Sequence, residues 1–410
     1  MNFVDLLLGF ISSAGGFIDI SNLVFNPQSA AKFGYALLWP MVVGAIGIAV
    51  YAEMCGRVAA IAKKPVFDLI RERTGFNIAM ITLIASNIVN LLIATAEIGG
   101  VAIMLQLFSG LSYRGLLFVA FGLLLLILWF IKFKYLEWIF GIMGMFMVTF
   151  LVAAIKLSPN WHQVVLGFVP SIPFEAKTDM LDYLYFAIGL LGSLLMPYQV
   201  YFYSSGGIEE GWKEKDLITN KITTYAGYAL GAILAIALSI VAGTIFFPGH
   251  IQPQAVGTIL LGPALTMGKV GLILGMIGML FSIGGAAMET SLAGAYNLSQ
   301  FFGWQWGKFQ RPSEAPRFTL SWLIMLIVAV LVLLTGIDPV KITNLAVIFS
   351  VVVYPLTYIP ILLVANDKRF LGKHANGRVT NVLAWVYLVI LLVVAISAVP
   401  LLILSKGGNG

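Results

Sequence analysis

Long apolar runs separated by short charged stretches organise this chain from end to end. The segments 37–55, 116–131, 137–155, 224–247, 318–335 and 381–404 approach or exceed the roughly 20 residues that a helix needs to cross ~30 Å of hydrocarbon. They do not alternate polar and apolar residues as the strands of a membrane barrel do. In lipid a helix is the open-chain form that satisfies its own backbone. The pattern predicts eleven spans, at about 4–25, 36–59, 77–107, 115–131, 136–156, 181–205, 222–247, 269–301, 318–336, 343–364 and 381–404.

Composition narrows the class further. Of 410 residues 60% are hydrophobic and only 10% charged, against about a quarter charged in a soluble domain, so lipid is the main solvent and a soluble enzyme is excluded. The apolar start has no basic n-region and no small-residue cleavage site, so the first segment is expected to stay as a span. A single cysteine, Cys55, excludes an internal disulfide. Of the 24 Lys and Arg residues, 17 fall in loops on one side and 7 on the other. This bias puts the N-terminus in the cytoplasm and, with an odd number of spans, the C-terminus outside a cell membrane. The net charge of +6 reflects that topology and not nucleic-acid binding.

Two spans are interrupted. The first reads Gly15-Gly16-Phe17-Ile18-Asp19-Ile20-Ser21-Asn22, with a carboxylate and an amide at mid-helix after a diglycine. The sixth reads Gly192-Ser193-Leu194-Leu195-Met196-Pro197-Tyr198-Gln199, where Pro197 removes a donor and frees carbonyls near Ser193. Gly and Pro are also frequent in ordinary kinked membrane helices. Interruptions at matching places of two halves, however, point to a transporter site at the midplane. Asp19 adds weight, since a carboxylate at mid-bilayer costs at least ~2.5–3.5 kcal/mol unless it faces a cavity or partner. No Lys or Arg lies in the middle of any predicted span, which suggests a cation as that partner.

These residues resemble the Nramp family of divalent-metal transporters and its Nramp-related relatives. The family's DPGN motif in helix 1 reads DISN here (Asp19 to Asn22), and its MPH-N motif in helix 6 reads MPYQ (Met196 to Gln199). The stretches Val200 to Ser205, Phe33 to Trp39 and Ala96 to Ile103 are also similar, as are Gly294-Ala295-Tyr296, Pro355 and Ala384-Trp385. The resemblance implies an all-α LeuT-type fold of two inverted five-helix repeats, at 1–160 and 178–366, with an eleventh helix at 379–405. It implies oxygen ligands at Asp19 and Asn22, a thioether at Met196, and the carbonyls of Gly16 and Ser193. Tyr198, Gln199, Tyr203, Glu97 and Glu289 are the expected surrounding or gating residues.

The departures from the family matter as much. Its two helix 6 histidines correspond to Tyr198 and Tyr203, and an aspartate in helix 3 corresponds to Ala94. A Gln-rich stretch before the helix 10 proline reads Ser350-Val351-Val352-Val353-Tyr354. Glu289 is a carboxylate where the family has a small polar residue. The Pro-Tyr pair, Ile208-Glu209-Glu210 and the run Ala52 to Arg57 look closer to the magnesium-associated branch. Glu97 reads either as a relay beside the site or as a satisfied structural acid.

Other polar residues have plainer readings. Glu53 and Arg57 share a helix face at i,i+4 and suit a structural ion pair. Glu137 and Asp182 are expected as solvated caps, and Glu209-Glu210 as a solvated face. His162, His250 and His374 fall in predicted loops, and Gly271 and Gly275 allow close packing within the monomer. No P-loop, HExxH or serine-hydrolase motif occurs, so neither enzymatic activity nor a cofactor is expected.

The leading reading is secondary transport of a divalent cation by alternating access, in a chain that works as a monomer in the bilayer. Met196 ranks Mn²⁺ or a related transition metal ahead of Mg²⁺. Loss of the titratable helix 6 and helix 3 groups argues against obligatory proton coupling. A carrier of a small organic solute such as an amino acid is the alternative, disfavoured because Asp19 would repel a carboxylate. An intramembrane aspartyl protease would need a second facing aspartate.

Overall fold

The computed structural model describes residues 16–131, 133–172 and 179–408. No strand occurs among them, and ten helices are long and apolar enough to cross a membrane. The start of the first span, with Gly15, lies outside the described residues.

Helix α1 (Ile20–Phe33) begins at Asp19, whose side chain accepts the backbone N–H groups of Ser21 and Asn22. It runs eight residues beyond the predicted end of the first span. Its polar residues are satisfied within the bundle: Asn26 donates to the Ala235 carbonyl at 2.8 Å, and Ser29 Oγ donates to the Asn26 carbonyl. Pro27 sits inside this helix. Helix α2 (Leu38–Ala62) ends at Lys63 in the left-handed region.

Helix α3 (Val66–Ser109) has 44 residues. At ~1.5 Å per residue that is about twice the hydrocarbon thickness. Gly75, at φ 76, divides it into a short leading helix and the predicted third span. Gly268, at φ 62, divides the 42-residue α10 (Leu261–Phe302) in the same way. Both turns need a positive φ, which glycine adopts without steric cost.

Between these lie α4 (Tyr113–Phe130), α5 (Phe133–Gly144) and α6 (Val148–Lys156), the last two joined by the 3₁₀ turn Met145–Met147. The sixth span is two helices, α7 (Met180–Ser193) and α8 (Pro197–Glu209). Helix α9 (Tyr228–Ile245) follows a π-helical stretch, Ile222–Gly227. Helices α11 (Pro316–Leu334), α12 (Pro339–Asn366) and α13 (Arg378–Leu404) complete the bundle.

Helix α1 packs against α7 and α9, and α3 against α10 and α12. The half-helices are thereby enclosed, while α4 and α13 present large apolar side chains outward, among them Phe118, Phe130, Val382 and Ile396. Gly189 on α7 makes the α1 contact possible, because a Cβ there would lie 2.0 Å from Phe25.

Several polar residues differ from their expected settings. Asp182 is buried and ion-paired with Lys32, which also reaches Asp179 at 3.6 Å. Glu209 accepts from Tyr296 and from the backbone N–H groups of Lys308 and Phe309 (2.8 and 3.0 Å), so it anchors a loop and is not a free face. In both cases the partner is more than 80 residues away in sequence, and no local pattern announces it. Glu137's side chain lies outside the described residues. His162 belongs to a short helix, Trp161–Leu166, and His374 to a 3₁₀ turn where it contacts Glu214. Gly271 and Gly275 pack against Pro263 and Leu260 of their own chain, as expected.

Candidate metal site

The two breaks face each other. Segment 16–19 is non-helical up to Asp19, and α7 stops at Ser193 while α8 starts at Pro197, leaving Leu194, Leu195 and Met196 between them. Met196 takes an extended conformation (φ −80°, ψ 118°). The N-terminal ends of α1 and α8 bring positive partial charge to this point, and the C-terminal end of α7 brings carbonyl oxygens.

Asp19 is fully buried. Its Oδ1 accepts from Ser21 N (2.9 Å), Ser21 Oγ and Asn22 N (3.3 Å), and its Oδ2 accepts from Tyr198 Oη at 3.2 Å. Asn22 accepts the Asp19 N–H at 3.2 Å through Oδ1. Through Nδ2 it donates to the Ser193 carbonyl and to Ser193 Oγ, each at 3.2 Å. Four expected residues, Asp19, Asn22, Ser193 and Tyr198, therefore form one hydrogen-bonded unit across the breaks. Met196 is buried beside them in sequence, and its thioether accepts from Ser350 Oγ of α12 at 3.7 Å. Gln199 donates to the Phe17 carbonyl at 3.3 Å, and its own Oε1 has no partner. Gly16 is partly exposed at the head of the non-helical segment.

Glu97 of α3 reaches the unit by accepting the Ile20 N–H through Oε1 at 3.2 Å. Its Oε2 is buried without a partner. Glu289 of α10 is partly exposed and interacts electrostatically with Asp19, Glu97 and Tyr198. Among the described residues no Lys, Arg or His pairs with Asp19, Glu97 or Glu289. Also among them, no three His, Cys, Asp or Glu side chains converge as a metal cluster.

Tyr203 is not brought to this site. It lies at the middle of α8, donates to Asn220 Oδ1 at 2.8 Å and packs on Trp212 and Tyr228. Asn220 in turn donates to the Glu53 carbonyl at 3.0 Å, and Glu53 holds Arg57 as expected (2.9 and 3.0 Å). The site has contributors that the sequence reading did not assign, namely the Ser21 hydroxyl, the Phe17 carbonyl and Ser350. Ser350, polar in an otherwise apolar run, carried the one visible signal.

A bundle of membrane-crossing helices whose two broken members meet around an uncompensated carboxylate is the architecture of helical transporters built from inverted repeats. The chain belongs to the Nramp family: the profile described as natural resistance-associated macrophage protein-like matches residues 9–400. It is similar to the divalent metal cation transporter MntH of Bradyrhizobium diazoefficiens, at 25% identity over 394 residues covering 92% of this chain and 85% of that one. It is similar also to the MntH of Staphylococcus haemolyticus, at 26% identity over 400 residues covering 92% and 87%. A solved mutant of the Eremococcus coleocola manganese transporter aligns with a TM-score of 0.77 at 18% identity, covering 98% of this chain and 87% of that one. The fold is thus the all-α LeuT type, with two inverted five-helix repeats and an eleventh helix.

Proposed function

We propose that this protein carries a divalent metal cation across the membrane by alternating access around Asp19, Asn22, Met196 and the carbonyls of Gly16 and Ser193. The observation that carries the reading is Asp19 itself, a buried carboxylate at two helix breaks with no basic partner among the described residues. A cation supplies the missing charge. Tyr198 and Gln199 would steady the ligand set from α8, and Glu97 from α3. The Met196 thioether favours a softer transition metal such as Mn²⁺ over Mg²⁺, which prefers oxygen and keeps its waters. An organic acid as substrate is disfavoured, because Asp19, Glu97 and Glu289 would all repel a carboxylate.

The driving force in this reading is the membrane potential. Phenols titrate near 10 in their ordinary state, so Tyr198 and Tyr203 are poor proton carriers where relatives of the family have histidines. An inward-negative potential gives ~2.3 kcal/mol per charge per 100 mV. For a divalent ion that is about 4.6 kcal/mol, or roughly a thousandfold concentration. The N-terminus is assigned to the cytoplasm and the C-terminus to the outside. Arg57, Lys63, Arg71, Arg73, Lys308 and Lys373, all from predicted inside loops, support this through contacts that join those loops at one face. The repeats are assigned to 1–160 and 178–366, with the eleventh helix at 379–405.

The test is uptake into proteoliposomes that hold a metal-quenched dye. Mn²⁺ should quench the dye in wild type, and Asp19→Asn should remove the signal while keeping the helix cap. Saturable amino-acid uptake with no response to any divalent ion would overturn the proposal.

A further inference from the structure

We propose that Glu289 is a staging carboxylate that holds the hydrated divalent cation between solvent and Asp19. The inference rests on the transport reading and adds a residue and a step to it. Glu289 sits on α10 between Met288 and Thr290, both fully buried, and is itself partly exposed. Its helix packs against α3, which carries Glu97, and it interacts electrostatically with Asp19, Glu97, Tyr198 and Tyr228. It has no hydrogen-bond or ion-pair partner among the described residues. Asp19, Asn22 and Glu97 show 0% exposure and Met196 1%. Glu289 thus keeps exposed surface while the ligands stay sealed.

A second observation points to the ligand. Glu97 Oε2 is fully buried and lacks a donor, and the charged groups acting on Glu97 are Asp19 and Glu289. A carboxyl oxygen that bears no proton accepts hydrogen bonds. Two such groups with unused acceptor capacity, and no Lys or Arg to serve them, suit a partner whose surface is all donors. A divalent ion in its first water shell is such a partner, and small divalent ions give up that shell reluctantly. Direct ligation by three carboxylates is not what the geometry offers, because no such cluster converges. Glu289 would meet the ion through its waters, and Asp19 would take it after those waters are shed.

Hexaamminecobalt(III) separates the two steps, because its inert N–H shell mimics the hydrated ion and cannot be exchanged for Asp19. Its binding and that of Mn²⁺ would be measured by calorimetry on the full chain in detergent, for wild type, Glu289→Gln, Glu289→Asp and Asp19→Asn. Wild type should bind both ions. Asp19→Asn should bind Mn²⁺ far more weakly, as a hydrated ion at Glu289, yet keep the cobalt complex. Glu289→Gln should bind the complex about tenfold more weakly, the scale of losing one facing charge at reduced dielectric, and Glu289→Asp should recover part of that. In uptake, Glu289→Gln should raise the KM for Mn²⁺ with kcat retained, an effect that a structural role would not single out. Equal affinity of wild type and Glu289→Gln for the complex, or no binding by wild type, overturns the staging role. Failure of wild type to bind Mn²⁺ overturns the transport reading instead.

Discussion

Replacing Arg57 by Met tests whether the buried network at the α2 end is held by its ion pair or by its loop contacts. Arg57 donates to Glu53 Oε1 at 3.0 Å and Oε2 at 2.9 Å, to Asn376 Oδ1 at 2.7 Å and to the His374 carbonyl. The two side chains are 8% and 3% exposed. Arg57→Met leaves the Glu53 carboxylate buried and unpaired, which costs about 3–5 kcal/mol. Replacing both residues by Met removes the stranded charge. That double variant should lose only the two loop hydrogen bonds, at about 1 kcal/mol each. The assay is denaturation of the purified protein in detergent, followed by tryptophan fluorescence, for wild type, both single variants and the double. A double-mutant coupling of at least about 2 kcal/mol is expected. If the double variant is as unstable as Arg57→Met, the reasoning is refuted, and Arg57 acts through the 374–376 loop alone.

Four further outcomes are expected. Met196→Ala should bring Mg²⁺ and Ca²⁺ closer to Mn²⁺ in competition assays; unchanged relative affinities would make Met196 a packing residue. Gly189→Ala should destabilise the α1–α7 contact by about 1–3 kcal/mol through overpacking, measured by the same denaturation, because the new Cβ meets Phe25 at 2.0 Å. Liposomes with a pH-sensitive dye should show no metal-dependent acidification; acidification abolished by Glu97→Gln would refute voltage-driven uptake without proton coupling. Outside the membrane, hydrogen bonds from Arg369, and a further one from Arg73, hold Asp367 down from 3.8 to about 2. Their contribution is full above pH 3.8 and lost as the pH falls through about 2, so amide protection at Arg369, which donates to Asp367 at 2.9 Å, should persist through mild acid.

The fold was legible because lipid imposes a coarse code. Ten apolar runs became helices long enough to span, and the Gly-Pro punctuation at 192–197 became the gap between α7 and α8. Asp19 was legible for the same reason, as a charge where charges are costly. What stayed hidden was pairing. Asp182 and Glu209 looked like solvated acids because their partners, Lys32 and Tyr296, are distant in sequence. Tyr203 shares a helix with Tyr198, yet the two hydroxyls serve different networks. Five residues of helix carry Tyr203 away from the break toward Asn220. The end of α1 was misread because Asn26 and Ser29 satisfy themselves on helix carbonyls, which letters alone do not reveal.

The ligand set has a consequence for how a cation would enter. Three of the candidate groups already have a partner within the unit: Asn22 Oδ1 holds the Asp19 N–H, the Ser193 carbonyl holds Asn22 and Ser21, and Asp19 Oδ2 holds Tyr198. Cation binding is then an exchange, in which protein donors leave oxygens that the metal takes. The donors released belong to the first turn of α1 and to Tyr198 of α8, so the exchange acts on both half-helices at once. In the proposed transport cycle, ion affinity and helix movement would be coupled through the same bonds. A ligand shifts a conformational equilibrium only by its differential affinity for the two states, and here the difference is set by how many of these bonds the cation replaces. Tyr198→Phe isolates one of them. It frees Asp19 Oδ2 in advance, so it should tighten cation binding while slowing uptake, since release would then lack the competing hydroxyl. Weaker binding in Tyr198→Phe would mean that the phenol orients Asp19 for the metal and does not compete with it.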